Sequence, residues 1–318
     1  NLPSEAMKEK IKNAGIVGMG GAAFPTVVKL SPPKEKPIDT VILNGAECEP
    51  YLTGDYRLML EKPSEVIEGL RILMKVLGVQ KGYIGIEDNK PEAVTTLKKA
   101  AAGESSVEVC SLPTKYPQGA EKMLIKTITG REVPPRALPM DVRVVVQNIG
   151  TAFAVFEAVR YGKPLIERVV TVTGEGIREP KNLLTKIGTL ISHLIDECGG
   201  LKDDNLKVIS GGPMMGFAIS SLDVPVTKGT SGIVAMPEGE IVHAEDFGPC
   251  IRCGRCIEIC PMGLMPSMLS IYAEKGLYEG AKEYGLFDCF ECGSCAFVCP
   301  SKRPIVQLVR LAKSQVKP

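Results

Sequence analysis

Of the chain's 11 cysteines, eight fall into two runs with one spacing. The first reads Cys250-x-x-Cys253-x-x-Cys256-x-x-x-Cys260-Pro261, and the second Cys289-x-x-Cys292-x-x-Cys295-x-x-x-Cys299-Pro300. Three thiolates at x-x intervals can wrap one iron–sulfur cube from a tight loop. The fourth lies too far along the next turn to close the same cube, so it ligates the other. The expected ligand sets are Cys250, Cys253, Cys256 and Cys299 for one 4Fe-4S cluster, and Cys289, Cys292, Cys295 and Cys260 for the second. Gly254, Gly293 and Ser294 leave the backbone room to curl around the cubes. Two zinc sites would give no reason for the repeated Cys-Pro ending, and a disulfide framework belongs to small secreted chains. Cys48, Cys110 and Cys198 are left over without a pairing pattern, which suits a reducing compartment.

Two glycine-rich stretches could approach a phosphate. Gly18-Met-Gly20-Gly21-Ala-Ala-Phe24-Pro25, followed by Lys29, invites a dinucleotide fingerprint with Asp39 as its acidic partner. That fingerprint must follow a strand and open a long helix, whereas this stretch follows a helical pattern and meets Pro25 at once. What survives is a loop of amides, with Lys29 adding charge, that either cradles an anion or is a plain turn. The second stretch, Gly211-Gly212-Pro213-Met214-Met215-Gly216, is not followed by the Lys and Ser/Thr of a phosphate loop and reads as a structural turn.

The elements that must position these residues follow from periodicity. Ser4–Ala14 reads as a short helix with Ser4 as N-cap, and Pro63–Leu77 as an amphipathic helix stopped by Gly78. Strands are expected over 39–43, 82–86, 107–112 and 141–146, with a helix over 91–102, one that follows the Tyr116–Glu121 stretch and runs to Thr129, and one that follows the Gln147–Thr151 stretch and runs to Tyr161. Strands alternating with helices over residues 38–161 predict an α/β layer with a mainly parallel sheet, its ligand residues at the carboxyl ends of strands. After Pro164 the chain turns to short β-branched strands and one helix near 189–197, a small α+β module. His193 falls on that helix's polar side and reads as a solvated residue. Short helices over 266–275 and 278–284 bring the cysteine runs together, and 305–315 reads as an amphipathic helix with a basic outer face. Three domains are expected: 1–163, 164–240 and 241–318.

The 318 residues are 44% hydrophobic and 24% charged, with a net charge of +1, which argues against nucleic acid or an acidic lipid surface as the main partner. No apolar run reaches the ~18 residues of a membrane span, and no signal peptide is evident. The chain lacks an initiator Met and opens one helix before its first motif, so it reads as a piece of something longer.

A resemblance sharpens this reading. Gly18-x-Gly20-Gly21-x-x-Phe24-Pro25-Thr26-x-x-Lys29, Asn44-x-x-Glu47-x-Glu49-Pro50, Tyr116-x-x-Gly119-x-Glu121 and Gln147-Asn148-x-x-Thr151 resemble the FMN and NADH site of the flavoprotein subunit of respiratory complex I. The module order resembles the C subunit of the Rnf electron-transport complex still more closely. That family implies an FMN-binding α/β domain, a β-grasp module of the SLBB type and a two-cluster ferredoxin-like helical domain, preceded in the family by a region not present here. It implies that Gly18, Gly20, Gly21 and Lys29 cradle the FMN phosphate, and that Asn44, Glu47, Tyr116, Gly119, Gln147, Asn148 and Thr151 line the flavin ring and ribityl chain. It further implies that Phe24 stacks on NAD(H) while Glu49 and Glu121 hydrogen-bond it. The sequence departs from the complex I pattern at Ala46 and Ala120, where acidic residues are usual, at Pro32 in place of an aromatic, and at Met19 in place of Arg.

Clusters carry single electrons and a nicotinamide carries a hydride, so a protein joining them needs a flavin. The family therefore implies an electron-transfer subunit of a membrane-associated ferredoxin:NAD oxidoreductase. Its partners would be the other subunits of the complex, ferredoxin indirectly and NAD(H), and it would be peripheral on the cytoplasmic face of the cell membrane. Two other readings remain open on the residues: a soluble flavin and iron–sulfur reductase serving cobalamin or an amino-acid reductase, and a flavin-free cluster relay.

Overall fold

The computed structural model describes residues 2–203 and 205–317. They form two compact units that divide between Pro237 and Glu238.

The first unit opens with α1 (Ser4–Asn13), the glycine-rich loop and the short α2 (Thr26–Lys29). The α/β layer follows as β1 (Thr40–Asn44), α3 (Gly54–Glu61), α4 (Pro63–Leu77), β2 (Lys81–Glu87), α5 (Pro91–Ala100), β3 (Val107–Leu112), α6 (Glu121–Thr129), β4 (Val144–Asn148) and α7 (Ile149–Tyr161). The four strands are all parallel in the order β3-β2-β1-β4. Because side chains alternate across a strand, β1 feeds two cores. Val41 and Leu43 pack with α1, α4, α5 and α7, while Ile42 packs on the other face with Leu124 and Ile125 of α6. Burial on both faces accounts for the apolar run Val41-Ile42-Leu43, as expected for a parallel sheet.

The order reverses direction between β1 and β4. Their carboxyl ends stand side by side, with Leu43 opposite Gln147 and Asn44 opposite Asn148. A parallel sheet leaves a crevice at such a switch point.

The chain then forms β5 (Glu167–Thr173), β6 (Lys181–Lys186), α8 (Ile191–Glu197), β7 (Leu206–Ser210), β8 (Phe217–Ala218) and β9 (Gly232–Pro237). This is a mixed five-stranded sheet in the order β6-β5-β9-β7-β8, over which Ile191, Leu194 and Ile195 of α8 pack. A five-stranded mixed sheet crossed by one helix is a β-grasp arrangement.

The second unit is helical: α9 (Arg255–Glu258), α10 (Pro266–Glu274), α11 (Tyr278–Lys282), α12 (Ser294–Phe297) and α13 (Ile305–Gln315). Leu269 and Ala273 of α10 and Ile305, Val309 and Ala312 of α13 make its small core. Among the described residues no helix is long and apolar enough to cross a membrane.

Three local expectations need correction, and two elements were not expected at all. Ser4 is the first helical residue of α1 and Pro3 its N-cap; the Ser4 hydroxyl instead donates to the Lys75 carbonyl across 3.0 Å. The strand expected over 141–146 begins at Val144, because Pro139–Val142 close a 3₁₀ turn and Arg143 takes a φ of +64°. The helix α3 and the edge strand β6 had no expectation. Only Thr185 of β6 is buried, so it lacks the alternation that reveals a strand. The basic face expected on the outside of α13 turns inward in part: Arg310 and Lys313 reach Glu291 across 2.8 and 2.7 Å.

Candidate functional site

The glycine-rich loop is fixed at both ends. Gly18 N donates to Phe24 O (2.8 Å), Val17 bridges Pro25, and Thr26 N donates to Ile16 O (3.0 Å). Its middle is pinned to α7: Met19 N donates to Thr151 Oγ1 across 2.9 Å, and Thr151 Oγ1 donates to Val17 O at 3.3 Å. A methyl on Gly20 would meet Asn148 Cβ at 3.6 Å, so loop and switch point are neighbours. Gly21 has a φ of +121°, and a Cβ there would meet nothing within 4 Å. A side chain at Gly21 would be strained and would intrude on open space that a phosphate could use. Lys29 Nζ lies 3.1 Å from Val146 O in the middle of β4 and 2.6 Å from Glu121.

Asn44 ends β1, and its Nδ2 donates to Gly119 O (2.7 Å), which ties the loop before α6 to the crevice. A Cβ on Gly119 would meet Cys48 Sγ at 3.0 Å and Ala46 Cβ at 3.3 Å. Asn148 caps α7 by accepting from Gly150 N (2.8 Å) and Thr151 N (3.4 Å), and its Nδ2 donates to Asp55 Oδ2 (2.6 Å). The Glu47 carboxylate accepts the Asp55 and Tyr56 amides at the start of α3, at 2.7 and 3.0 Å. Burial, with Asp55 nearby, pushes Glu47 up to about 8, and burial also raises Asp55. Arg168 closes this network by donating to Met19 O (3.2 Å); burial lowers its pKa to about 10.

The expected dinucleotide residues differ in their commitments. Phe24 is 46% exposed. The Glu49 carboxylate accepts the amides of Met214 (3.0 Å) and Met215 (2.8 Å), so the Gly211–Gly216 turn is anchored on it. Glu121 pairs with Lys29. Tyr116 is half-buried just before the Gly119 loop. Asp39, far from any phosphate role, pairs with Arg131 (2.7 Å) and Arg143 (3.3 Å). His193 is exposed.

The switch point shows what a bound FMN would satisfy. Gln147 is 2% exposed and its Nε2 has no partner; Gln118 is 1% exposed and neither end of its amide has one. Buried amides are costly to leave unpaired, and Gln147 stands at the switch point opposite Leu43, next to the Asn148 that meets Gly20 of the glycine loop. The residues fit a flavin mononucleotide. Sequence reasoning missed Gln118, Asp55 and Arg168. Gln118 falls on an unspecified position of the Tyr116-x-x-Gly119-x-Glu121 motif and shows only through its burial, while Asp55 and Arg168 stand in no motif and are identified only by what folds against them.

In the second unit, one cavity is lined by Cys260, Cys289, Cys292 and Cys295, together with Leu269, Ile305 and Val309. Burial, and next the neighbouring thiols of Cys289, Cys292 and Cys260, pushes Cys295 up to about 12. The fourth cysteine of the first run therefore does stand with the first three of the second. Among the described residues no group of three or more His, Cys, Asp or Glu converges on a single ion. Thiols ringing a cavity suit a cube, in which each iron takes one thiolate, better than a zinc ion needing four ligands about 2.0–2.3 Å from one point. In the first run, the Cys250 thiol helps to raise that of Cys256, so these two are close, while Cys299 follows α12, which packs on α9. The residues fit two clusters.

A parallel-sheet flavin crevice, a β-grasp module and two cysteine quartets define a flavin and iron–sulfur protein. Residues 11–157 match the Nuo51 FMN-binding domain, 169–218 the SLBB domain and 249–303 the 4Fe-4S dicluster domain. The chain belongs to the family formed by the C subunit of ion-translocating ferredoxin:NAD(+) oxidoreductase complexes. It is 58% identical over 96% of its length to the C subunit of the proton-translocating ferredoxin:NAD(+) oxidoreductase complex of Clostridium ljungdahlii, spanning 66% of that protein. It is 48% identical over 99% of its length to the C subunit of the Na(+)-translocating complex of Acetobacterium woodii, spanning 71%. The Rhodobacter capsulatus relative is 48% identical, and the chain spans 61% of it. A chain of the NAD+-reducing [NiFe]-hydrogenase in its H2-reduced state shares the fold, with a TM-score of 0.67, 16% identity, and coverage of 99% of this chain and 63% of that one.

Proposed function

We propose that this chain is the electron-transfer part of a membrane-associated ferredoxin:NAD oxidoreductase, passing electrons between NAD(H), FMN and two 4Fe-4S clusters. The observation that carries it is the presence, on one chain, of a buried and unpartnered Gln147 amide at the switch point of a parallel sheet and a thiol-lined cavity fed by both cysteine runs. When bound, FMN supplies a carrier that exchanges a hydride on one side and single electrons on the other.

In this reading residues 1–163 hold flavin and dinucleotide, 164–240 form the SLBB-like module, and 241–318 hold the clusters. Gly18, Gly20, Gly21 and Lys29 receive the phosphate. Asn44, Glu47, Tyr116, Gly119, Gln147, Asn148 and Thr151 hold the ring and ribityl chain, with Gln147 Nε2 donating to the flavin. Phe24 offers NAD(H) its exposed ring. Glu49 and Glu121 keep only their remaining lone pairs for it, since the Met214 and Met215 amides and Lys29 already hold them. Cys250, Cys253, Cys256 and Cys299 hold one cluster, and Cys289, Cys292, Cys295 and Cys260 the other. The chain's part in hydride transfer is to align the two rings and exclude water, and among the site residues none is assigned proton transfer. Its partners are the other subunits of the complex, and it sits peripherally on the cytoplasmic side of the cell membrane.

The test is FMN binding by the Gln147→Ala and Cys260→Ser variants, with iron content measured in parallel. Loss of flavin in the first with clusters intact, and of about half the iron in the second with flavin intact, is the expected outcome. Flavin binding unaffected by Gln147→Ala would remove the crevice from the account.

A further inference from the structure

The two cysteine runs are built as a pseudo-symmetric pair. Arg252 and Glu291, the third residue of each run, have φ values of +57° and +62°; Gly254 and Gly293 have +83° and +85°; Gly263 and Lys302 have +63° and +48°. The helix α9 matches α12, and α10 matches α13, at the same places after the cysteines.

Equal backbones are covered unequally. In the second run Cys292, Gly293 and Ser294 are buried, and nothing from Cys289 through Ala296 is exposed. The helix α13 explains this, because Arg310 and Lys313 both clamp Glu291 and Lys313 Nζ also reaches Cys289 O across 2.6 Å. In the first run Ile251, Arg252, Cys253, Arg255 and Ile257 are all exposed, and Ile251 keeps 64% of its surface. Phe297 on α12, which packs on α9, is 80% exposed. The clamp has no counterpart, since Glu274, at the α10 place that matches Lys313, pairs with Arg303 at 2.8 Å. Arg252 and Arg255 have no ion pair among the described residues. One ligand loop is thus sealed, and the other presents a cluster ligand, two arginines, the single carboxylate of Glu258 at the end of α9 and an apolar surround to solvent.

We propose that the Cys250–Cys256 loop is the port through which this chain exchanges electrons with an acidic one-electron carrier protein. The proposal rests on the electron-transfer reading above. An apolar centre with a polar rim is how docking surfaces are built, and Arg252 and Arg255, which outnumber Glu258 there, favour carboxylates on the partner. An exposed ligand shortens the electron's path to whatever docks there, whereas a lipid surface on the same face would bury that path. One electron passes per encounter: the carrier's cluster is oxidised as the chain's first cluster is reduced, or the reverse, and no bond is made or broken.

The test uses the full chain loaded with FMN and clusters, the charge reversal R252E/R255E, its charge-preserving counterpart R252K/R255K, and K98E/K99E on exposed residues of α5, which changes net charge equally. Glu is compatible with the backbone at position 252, since Glu291 holds the matching conformation. The probe is an acidic two-cluster bacterial ferredoxin, oxidised for affinity measurements and dithionite-reduced for stopped-flow. R252E/R255E is expected to lose about tenfold or more in both affinity and rate at low ionic strength, and to lose most of the salt dependence. R252K/R255K should keep both, and K98E/K99E should change little.

Equal losses in R252E/R255E and K98E/K99E, or no loss in R252E/R255E, would overturn the port. So would unchanged ferredoxin exchange accompanied by lost binding to phosphatidylglycerol vesicles, which would assign the face to lipid. NADH reduction of the wild-type clusters in the same preparation separates the two levels: its failure overturns the electron-transfer reading, and its success with charge-independent exchange overturns the port alone.

Discussion

Gly69 lies in the middle of α4 where that helix crosses α7. A Cβ built there would stand 2.1 Å from Ala152 O and 2.6 Å from Ala152 C, both backbone atoms. Ordinary contact begins near 3.4 Å, so Gly69→Ala must push the two helices apart by about an ångström, because no side chain can swing away. Overpacking of this kind costs about 1–3 kcal/mol. Ala recovers about 0.8–1.0 kcal/mol of helix propensity, which leaves a net loss of about 2 kcal/mol at the upper end of the range, where a clash with backbone atoms belongs. For a unit of this size each kcal/mol shifts the midpoint by about 2–4 °C, so a fall of roughly 4–8 °C is expected. The displaced helix also carries Asn148 at its cap and Thr151, whose hydroxyl holds Met19 N, so FMN affinity should weaken alongside stability. Thermal unfolding by circular dichroism and flavin-fluorescence titration read the two effects. An unchanged or raised midpoint, as an exposed helical Gly→Ala would give, would refute the close crossing of α4 and α7.

Other consequences are more local. Thr151→Val removes the acceptor of the buried Met19 amide and should cost about 1–3 kcal/mol, read as a lower urea midpoint together with weaker FMN binding. Glu47 ionises near 4.5 when unfolded and about 8 when folded, so the folded state holds the proton more tightly. Its stabilising contribution is therefore complete below about pH 4.5 and is lost as pH rises through about 8. The denaturation midpoint of wild type should fall from pH 5 to pH 8, and Glu47→Gln should flatten that slope. Burial pushes the Cys48 thiol up to about 11, so it should resist iodoacetamide at pH 8 in the folded protein and react once urea unfolds it.

Much of this arrangement could be read from the sequence, for reasons visible in particular residues. Ligand spacing in the cysteine runs is local, as is the 3.6-residue period of Val66, Ile67, Leu70, Leu73 and Leu77 on α4, so neither needs the fold to be legible. Asn44, Gln147 and Asn148 could be expected at a ligand crevice once the βα alternation was seen, because parallel strands put their carboxyl ends on one side. What stayed hidden depends on distant partners. Glu49 meets the Met214 and Met215 amides, Arg168 meets Met19 O, and Asp55 meets Asn148. Nothing in the neighbouring residues marks Arg168 or Asp55 as part of the site, and the motif that places Glu49 there does not reveal its hold on the Gly211–Gly216 turn. The unequal cover of the two cysteine loops was equally unreadable. Both runs share one spacing, and only the inward turn of Arg310 and Lys313 distinguishes them.

The most direct test of the central claim is anaerobic reconstitution with iron, sulfide and FMN, followed by NADH while flavin and cluster absorbance are recorded together. Bound FMN that bleaches on NADH addition, with the cluster absorbance falling in step, is the predicted result. Flavin that binds but stays oxidised would contradict the NAD(H) half of the account, and a chain that binds clusters but no FMN would contradict its core.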